Sequence, residues 1–147
     1  MKNIMFSIIF FNLFVLIGCH NKNNQILTIK NNSDQNLLYV SSFLYPDTTL
    51  KCCPPERGTD EYYRWLIKAN SKLVNENCYK DFFITYDTMD IFLFNVDTLY
   101  TVPWDTINKN YMILIRYDLS LEDLERLNWT VTYPPTKDMD VKMYQKK

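Results

Sequence analysis

Four aspartates, Asp87, Asp90, Asp97 and Asp105, crowd into one short stretch. Two carboxylates held a few ångströms apart are the minimal equipment for acid–base cleavage of a glycosidic bond. Their spacing fixes no reaction class, however, and aspartate commonly caps turns and helices or faces solvent. Other catalytic schemes lack parts. The single histidine, His20, lies near the amino terminus in a wholly polar stretch. Ser-His-Asp and Cys-His catalysis therefore lose their usual base. Apart from Gly18 the only glycine is Gly58, whereas phosphate-cradling loops need several so that backbone can approach the phosphates. Adjacent Cys52 and Cys53 are not a CxxC, and no second pair or downstream histidine completes a zinc set. The expectation is a non-enzyme with no catalytic residues, no metal, no nucleotide and no other cofactor.

The sharpest chemical signal is a different thiol. Met1-Lys2-Asn3 carries one positive charge, and an apolar run from Ile4 to Ile17 follows, broken only by Ser7 and Asn12. That length suits a signal h-region and is short of the roughly 20 residues of a transmembrane helix. The run ends in Leu16-Ile17-Gly18-Cys19, which resembles the lipobox of bacterial lipoproteins, with Gly18 supplying a small side chain beside the cut. The resemblance implies cleavage before Cys19 and acyl chains on that cysteine. Each buried CH₂ would contribute about 0.8 kcal/mol to membrane attachment. The competing account is an ordinary secretory signal with an incidental cysteine. Residues 1–18 are thus expected to be a lipoprotein signal peptide and residues 19–25 a lipidated polar tether. The residue after the cysteine is His20 rather than aspartate, which leans toward the outer membrane over the inner.

Three cysteines remain. Outside the inner membrane the compartment is oxidising, so a disulfide of Cys78 with either Cys52 or Cys53 is expected, closing a loop of about 25 residues and contributing roughly 3–4 kcal/mol. Asp-Thr followed by Thr or an apolar residue recurs at Thr48, Thr88, Thr98 and Thr106. It resembles the short acceptor motif for O-glycosylation in Bacteroidetes, which would place sugar on those threonines. The alternative is that Asp-Thr marks element boundaries, where both side chains hydrogen-bond the backbone. Tyr39, Phe43, Tyr45, Tyr62, Tyr63 and Trp65 are dense in one span. Exposed, they would make a platform for a sugar or a partner protein; buried, they are ordinary packing.

These groups need a scaffold. The chain has a formal net charge of −1, so no basic excess draws it to nucleic acid. Residues 26–135 suit one domain with one core, followed by a polar tail over residues 136–147. Ile26 to Ile29 and Leu37 to Tyr45 read as two strands joined by a polar loop. Tyr62 to Lys68 fits strand or helix, and its aromatics favour strand. Tyr79 to Phe83 reads as a short helix, Met89 to Val96 and Tyr111 to Tyr117 as central strands, and Pro103 to Asn108 as a helical turn. Ser120-Leu121-Glu122-Asp123 is a capping-box pattern, with Leu121, Leu124 and Leu127 on one face and Asn128 to end the helix. Trp129 to Tyr133 alternates, with Trp129, Val131 and Tyr133 facing the core. The expected fold is α+β: a mainly antiparallel sheet of five or six strands with short helices on one face.

Ile91-Phe92-Leu93-Phe94, Asp97-Thr98-Leu99, Trp104-Asp105-Thr106-Ile107, the run Arg116 to Leu124, Asn128-Trp129-Thr130 and Tyr133-Pro134-Pro135, with Tyr45-Pro46-Asp47-Thr48 near the front, together resemble a group of small Bacteroidetes cell-envelope lipoproteins of uncharacterised function. The resemblance spans most of the domain. It implies a compartment and a source and carries no activity. The leading expectation is a lipid-anchored, non-enzymatic module that binds an envelope protein or glycan. A small glycan-active hydrolase using paired carboxylates and a purely structural surface protein are the alternatives.

Overall fold

The computed structural model describes residues 25–45, 50, 54–77, 79–137, 139 and 142–143. The residues expected as a signal peptide, Cys19, nearly all of the expected tether, Thr48, Cys52, Cys53 and Cys78 lie outside the described residues. The class is α+β, with the strands distributed over two sheets.

The larger sheet is built on β5 (Met89–Asn95), whose residues are buried on both faces up to Phe94. It pairs antiparallel with β2 (Leu37–Ser42) and β6 (Ile115–Leu119); β3 (Leu66–Ile67) and β8 (Lys142–Met143) complete the order β3-β2-β5-β6-β8. A strand alternates its side chains between faces, and β5 splits accordingly. Met89, Ile91 and Leu93 join one apolar cluster, and Phe92 and Phe94 the other. The second cluster is closed by α1 (Asp60–Trp65), α2 (Val96–Thr101) and α3 (Trp104–Asn110), through Tyr62, Val96, Leu99 and Ile107. The first is closed by a three-stranded sheet, β4 (Ser71–Asn75), β1 (Leu27–Asn31) and β7 (Thr130–Tyr133), together with α4 (Leu121–Arg126) through Leu124.

β1 and β2 do not pair with each other, although the polar loop between them suggested it. β1 runs antiparallel to β4 and parallel to β7. Asn31 accounts for the crossing. It is buried, and its amide donates to the carbonyls of Gln35 (2.8 Å) and Lys68 (3.1 Å) while its oxygen accepts from Ser33 N (3.0 Å). These bonds turn the chain out of one sheet and into the other.

Tyr62–Trp65 is helical, not extended. Thr59 caps α1 by accepting from Tyr62 N (3.2 Å), with Asp60 and Glu61 in the first turn. Only Leu66–Ile67 of that stretch is strand. The expected helical turn after Pro103 is α3, and Tyr79–Ile84 forms a 3-10 turn. The capping box of α4 is complete: Ser120 Oγ accepts from Asp123 N (3.1 Å) and Asp123 Oδ2 accepts from Ser120 N (3.0 Å). Burial opposes ionisation of Asp123, but the Ser120 bonds and Arg126 outweigh it and hold its pKa below the usual carboxylate range. Asn128 and Trp129 both take positive φ after the helix, and Trp129 and Val131 enter the core as expected. Part of the segment expected as a polar tail belongs to the fold, since Met139 is buried in the first cluster and Lys142–Met143 pair with β6. Its charged sequence conceals single apolar and extended residues that tertiary packing recruits.

Candidate functional site

β3 covers only Leu37 and Leu38 of β2. Beyond them a cleft of about 870 Å³ opens, within the usual size of ligand pockets, about 300–1,000 Å³. Three parts of the chain build it. β2 and the residue after it supply Tyr39, Ser41 and Phe43. α1 supplies Glu61, Arg64 and Trp65. The end of β4 and the 3-10 turn supply Asn75, Glu76, Tyr79 and Phe82.

The floor of the cleft is a hydroxyl–amide network. Tyr39 and Tyr79 share a hydrogen bond between their hydroxyls (3.1 Å), and Asn75 Nδ2 donates to both, at 2.8 Å for Tyr79. Burial, with the Tyr79 phenol alongside, raises the Tyr39 pKa well above its ordinary value, so this hydroxyl stays protonated. The walls are aromatic. Trp65 lies 5.9 Å from Tyr39 between ring centroids, and Phe43 stacks on Phe82 at 4.8 Å with 11° between planes. Glu61, Arg64 and Glu76 are exposed and give the rim both signs of charge. Aromatic faces carry partial negative charge and attract the polarised C–H groups of a sugar ring. Hydroxyls, amides and carboxylates at the same place can hydrogen-bond its hydroxyls.

The aromatic span noted in the sequence therefore divides. Tyr39, Phe43 and Trp65 line the cleft, Tyr62 is buried in the opposite cluster against Tyr100 (5.6 Å between ring centroids), and Tyr45 and Tyr63 are exposed. The four aspartates are not brought together. Asp87 is exposed ahead of β5, and Asp97 and Asp105 occupy the first turns of α2 and α3, where a carboxylate suits the helix N-terminus. Asp90 is buried on the face of β5 turned away from the cleft.

Asp90 does have a carboxylate neighbour, one not singled out in the sequence. It pairs in register with Asp118 of β6. Arg116 binds Asp118 with both ends of its fork, Nε to Oδ1 at 2.5 Å and Nη2 to Oδ2 at 2.8 Å, and donates Nη1 to the Tyr111 hydroxyl at 3.1 Å. Burial works against the guanidinium's charge, but Asp118 and Tyr111 more than offset it, and Arg116 holds its proton above the ordinary arginine range. With Arg116 almost wholly enclosed, the cluster is an internal strut with no access for substrate. The signal was present in Ile115-Arg116-Tyr117-Asp118-Leu119, where two opposite charges share one face of an apolar strand.

Thr88 precedes β5, Thr98 lies in α2 and Thr106 in α3. Asn95 Oδ1 accepts from Thr98 N (2.8 Å), and Thr106 N donates to Pro103 O (2.9 Å). All three Asp-Thr pairs thus sit where an element begins, and Thr106 is the exposed one. Among the described residues, no cluster of three or more His, Cys, Asp or Glu could hold a metal ion, and no helix is long and apolar enough to cross a membrane. No protein-family model, no curated protein and no solved structure matches this chain.

Proposed function

We propose that this chain is a lipid-anchored cell-envelope protein whose domain binds an envelope glycan in the aromatic cleft without chemically altering it. The observation that carries the reading is the cleft itself: Trp65, Tyr39, Phe43 and Phe82 as apolar walls around the Tyr39–Asn75–Tyr79 network. Planar rings and fixed hydroxyl and amide groups within one concavity are the parts a pyranose needs. The anchor half of the proposal is supported by Leu16-Ile17-Gly18-Cys19 at the end of the apolar run.

The ligand half is tested by titrating the full chain with peptidoglycan fragments and with envelope polysaccharide while following tryptophan fluorescence. Saturable change with one of them is expected, lost in Trp65→Ala and kept in Trp104→Phe. No saturable change with either, or release of reducing ends during the titration, would overturn it. The anchor half predicts that Cys19→Ser leaves the membrane fraction or stalls in processing; unchanged fractionation refutes it.

A further inference from the structure

We infer that the end of the domain carrying the 3-10 turn rests on the lipid bilayer surface, docked through an exposed apolar patch beside the mouth of the cleft. The inference rests on the reading of Cys19 as the lipid attachment point.

The patch is defined by exposure and register. Among the described residues nine large hydrophobic side chains are exposed. Six of them, Ile26, Leu44, Tyr45, Phe82, Ile84 and Tyr86, gather at one end of the molecule. Ile26 precedes β1, whose first residue, Leu27, pairs with Asn75, the last residue of β4. From Asn75 the chain passes into the 3-10 turn that holds Phe82 and Ile84. Phe43 joins the two sides: its ring contacts Phe82 at 4.8 Å and Tyr86 at 5.6 Å, and Leu44 and Tyr45 follow it. Ile84 is 84% exposed, an arrangement with no advantage in water for so large an apolar side chain. Contiguous exposed apolar groups of this kind mark a contact surface.

The occupant follows from the length of chain before the domain. Eight residue steps separate Cys19 from Leu27, and fully extended they reach about 28 Å. A domain of about 120 residues has a radius of gyration near 14 Å and so measures roughly 35 Å across. A lipid on Cys19 therefore holds the start of β1 within one domain diameter of the bilayer. Ile26 of the patch immediately precedes that start, and β1 pairs there with the end of β4 that leads into the 3-10 turn, so the surface that meets the patch is lipid. Tyr prefers the headgroup region, and Phe, Leu and Ile the acyl boundary below it. Lys80, Asp81 and Asp87 are exposed within the same segment. They limit the contact to headgroup depth, and their net negative charge disfavours anionic lipid, so zwitterionic vesicles are the proper probe.

The test uses the full lipidated chain in phosphatidylcholine vesicles brominated on the acyl chain near the carbonyl. Three variants carry a reporter: Ile84→Trp and Tyr86→Trp in the patch, and Met112→Trp, an exposed position at the far end of the sheet beyond α3. Bromine quenches only nearby indole. Beyond the parent's own quenching, each patch reporter is expected to lose at least twice the fluorescence lost by the Met112→Trp reporter. Equal quenching at all three positions in protein that floats with the vesicles would overturn the docking while leaving the anchor standing. Protein that fails to float would overturn the anchor, and the docking with it.

Discussion

Removing the guanidinium of Arg116 is the most informative single perturbation of the fold. Arg116 and Asp118 are nearly enclosed, with side-chain exposures of 3% and 9%. Arg116→Met breaks both bonds to Asp118 and the bond to Tyr111. It also leaves the Asp118 carboxylate nearly enclosed without its guanidinium. Breaking a buried pair from one side costs about 3–5 kcal/mol, and Arg116→Met should fall in that range. Asp118→Asn should cost less, about 2 kcal/mol, because asparagine keeps one acceptor for the guanidinium. The double variant, with Asp118 already neutral, should lose clearly less than the sum of the two. The assay is urea unfolding at neutral pH, comparing midpoints at constant slope. If Asp118→Asn costs as much as Arg116→Met, or if the double variant is additive within about 0.5 kcal/mol, the account of Arg116 and Asp118 as a coupled buried pair is wrong.

Three further outcomes are expected. Ser120→Ala removes one arm of the α4 capping box and should lower stability by about 1 kcal/mol, seen as a fall of about 4–8 °C in Tm; an unchanged Tm refutes the cap's role. Burial raises the phenol pKa of Tyr39, and that of Tyr117, whose hydroxyl donates to Thr132 O at 2.8 Å, above the ordinary value near 10. Their folded values exceed their unfolded ones, so the stability they contribute is complete below pH 10 and is lost as pH rises through the folded values. Tyrosinate absorbance should accordingly show a class that titrates only with alkaline unfolding, and free titration of every tyrosine in the folded chain would refute this. Intact mass of protein from its native source should exceed that of the lipidated polypeptide through sugar on at least one Asp-Thr threonine, with Thr106 the most accessible of those described; a mass equal to the lipidated polypeptide alone excludes it.

What could be read from the residues was what local chemistry decides. The α4 cap needs only Ser120 and Asp123, three positions apart. The Met89–Asn95 strand announces itself because both of its faces are apolar. Local chemistry falls short where the deciding partner is distant or where the residues after a cap favour another element. Thr59-Asp60-Glu61 is a helix start with an N-cap like Ser120's, yet the aromatics after it favour strand. Asn95 hides the start of α2 at the end of an apolar run. The separation of β1 from β2 depends on Asn31 finding the carbonyl of Lys68, which no window around Asn31 contains. The cleft is harder still. Its aromatic walls were visible as a dense span, but Asn75, Tyr79 and Phe82 come from other elements, and only the apposition of two sheets joins them to Tyr39 and Trp65.

The three-stranded sheet closes in an unusual order. Its central strand is the first of the domain, and one of its two neighbours is β7, aligned Thr28 to Thr130. Roughly a hundred residues must be made, and that loop closed, before β1 gains its parallel partner; long-range pairing of this kind is slow. Until then Leu27 and Ile29, which end fully buried, have one edge and one face without native cover. The amino-terminal strand is thus locked late. A chain emerging amino terminus first cannot finish this core early, so it commits to a native state only when its distal end arrives.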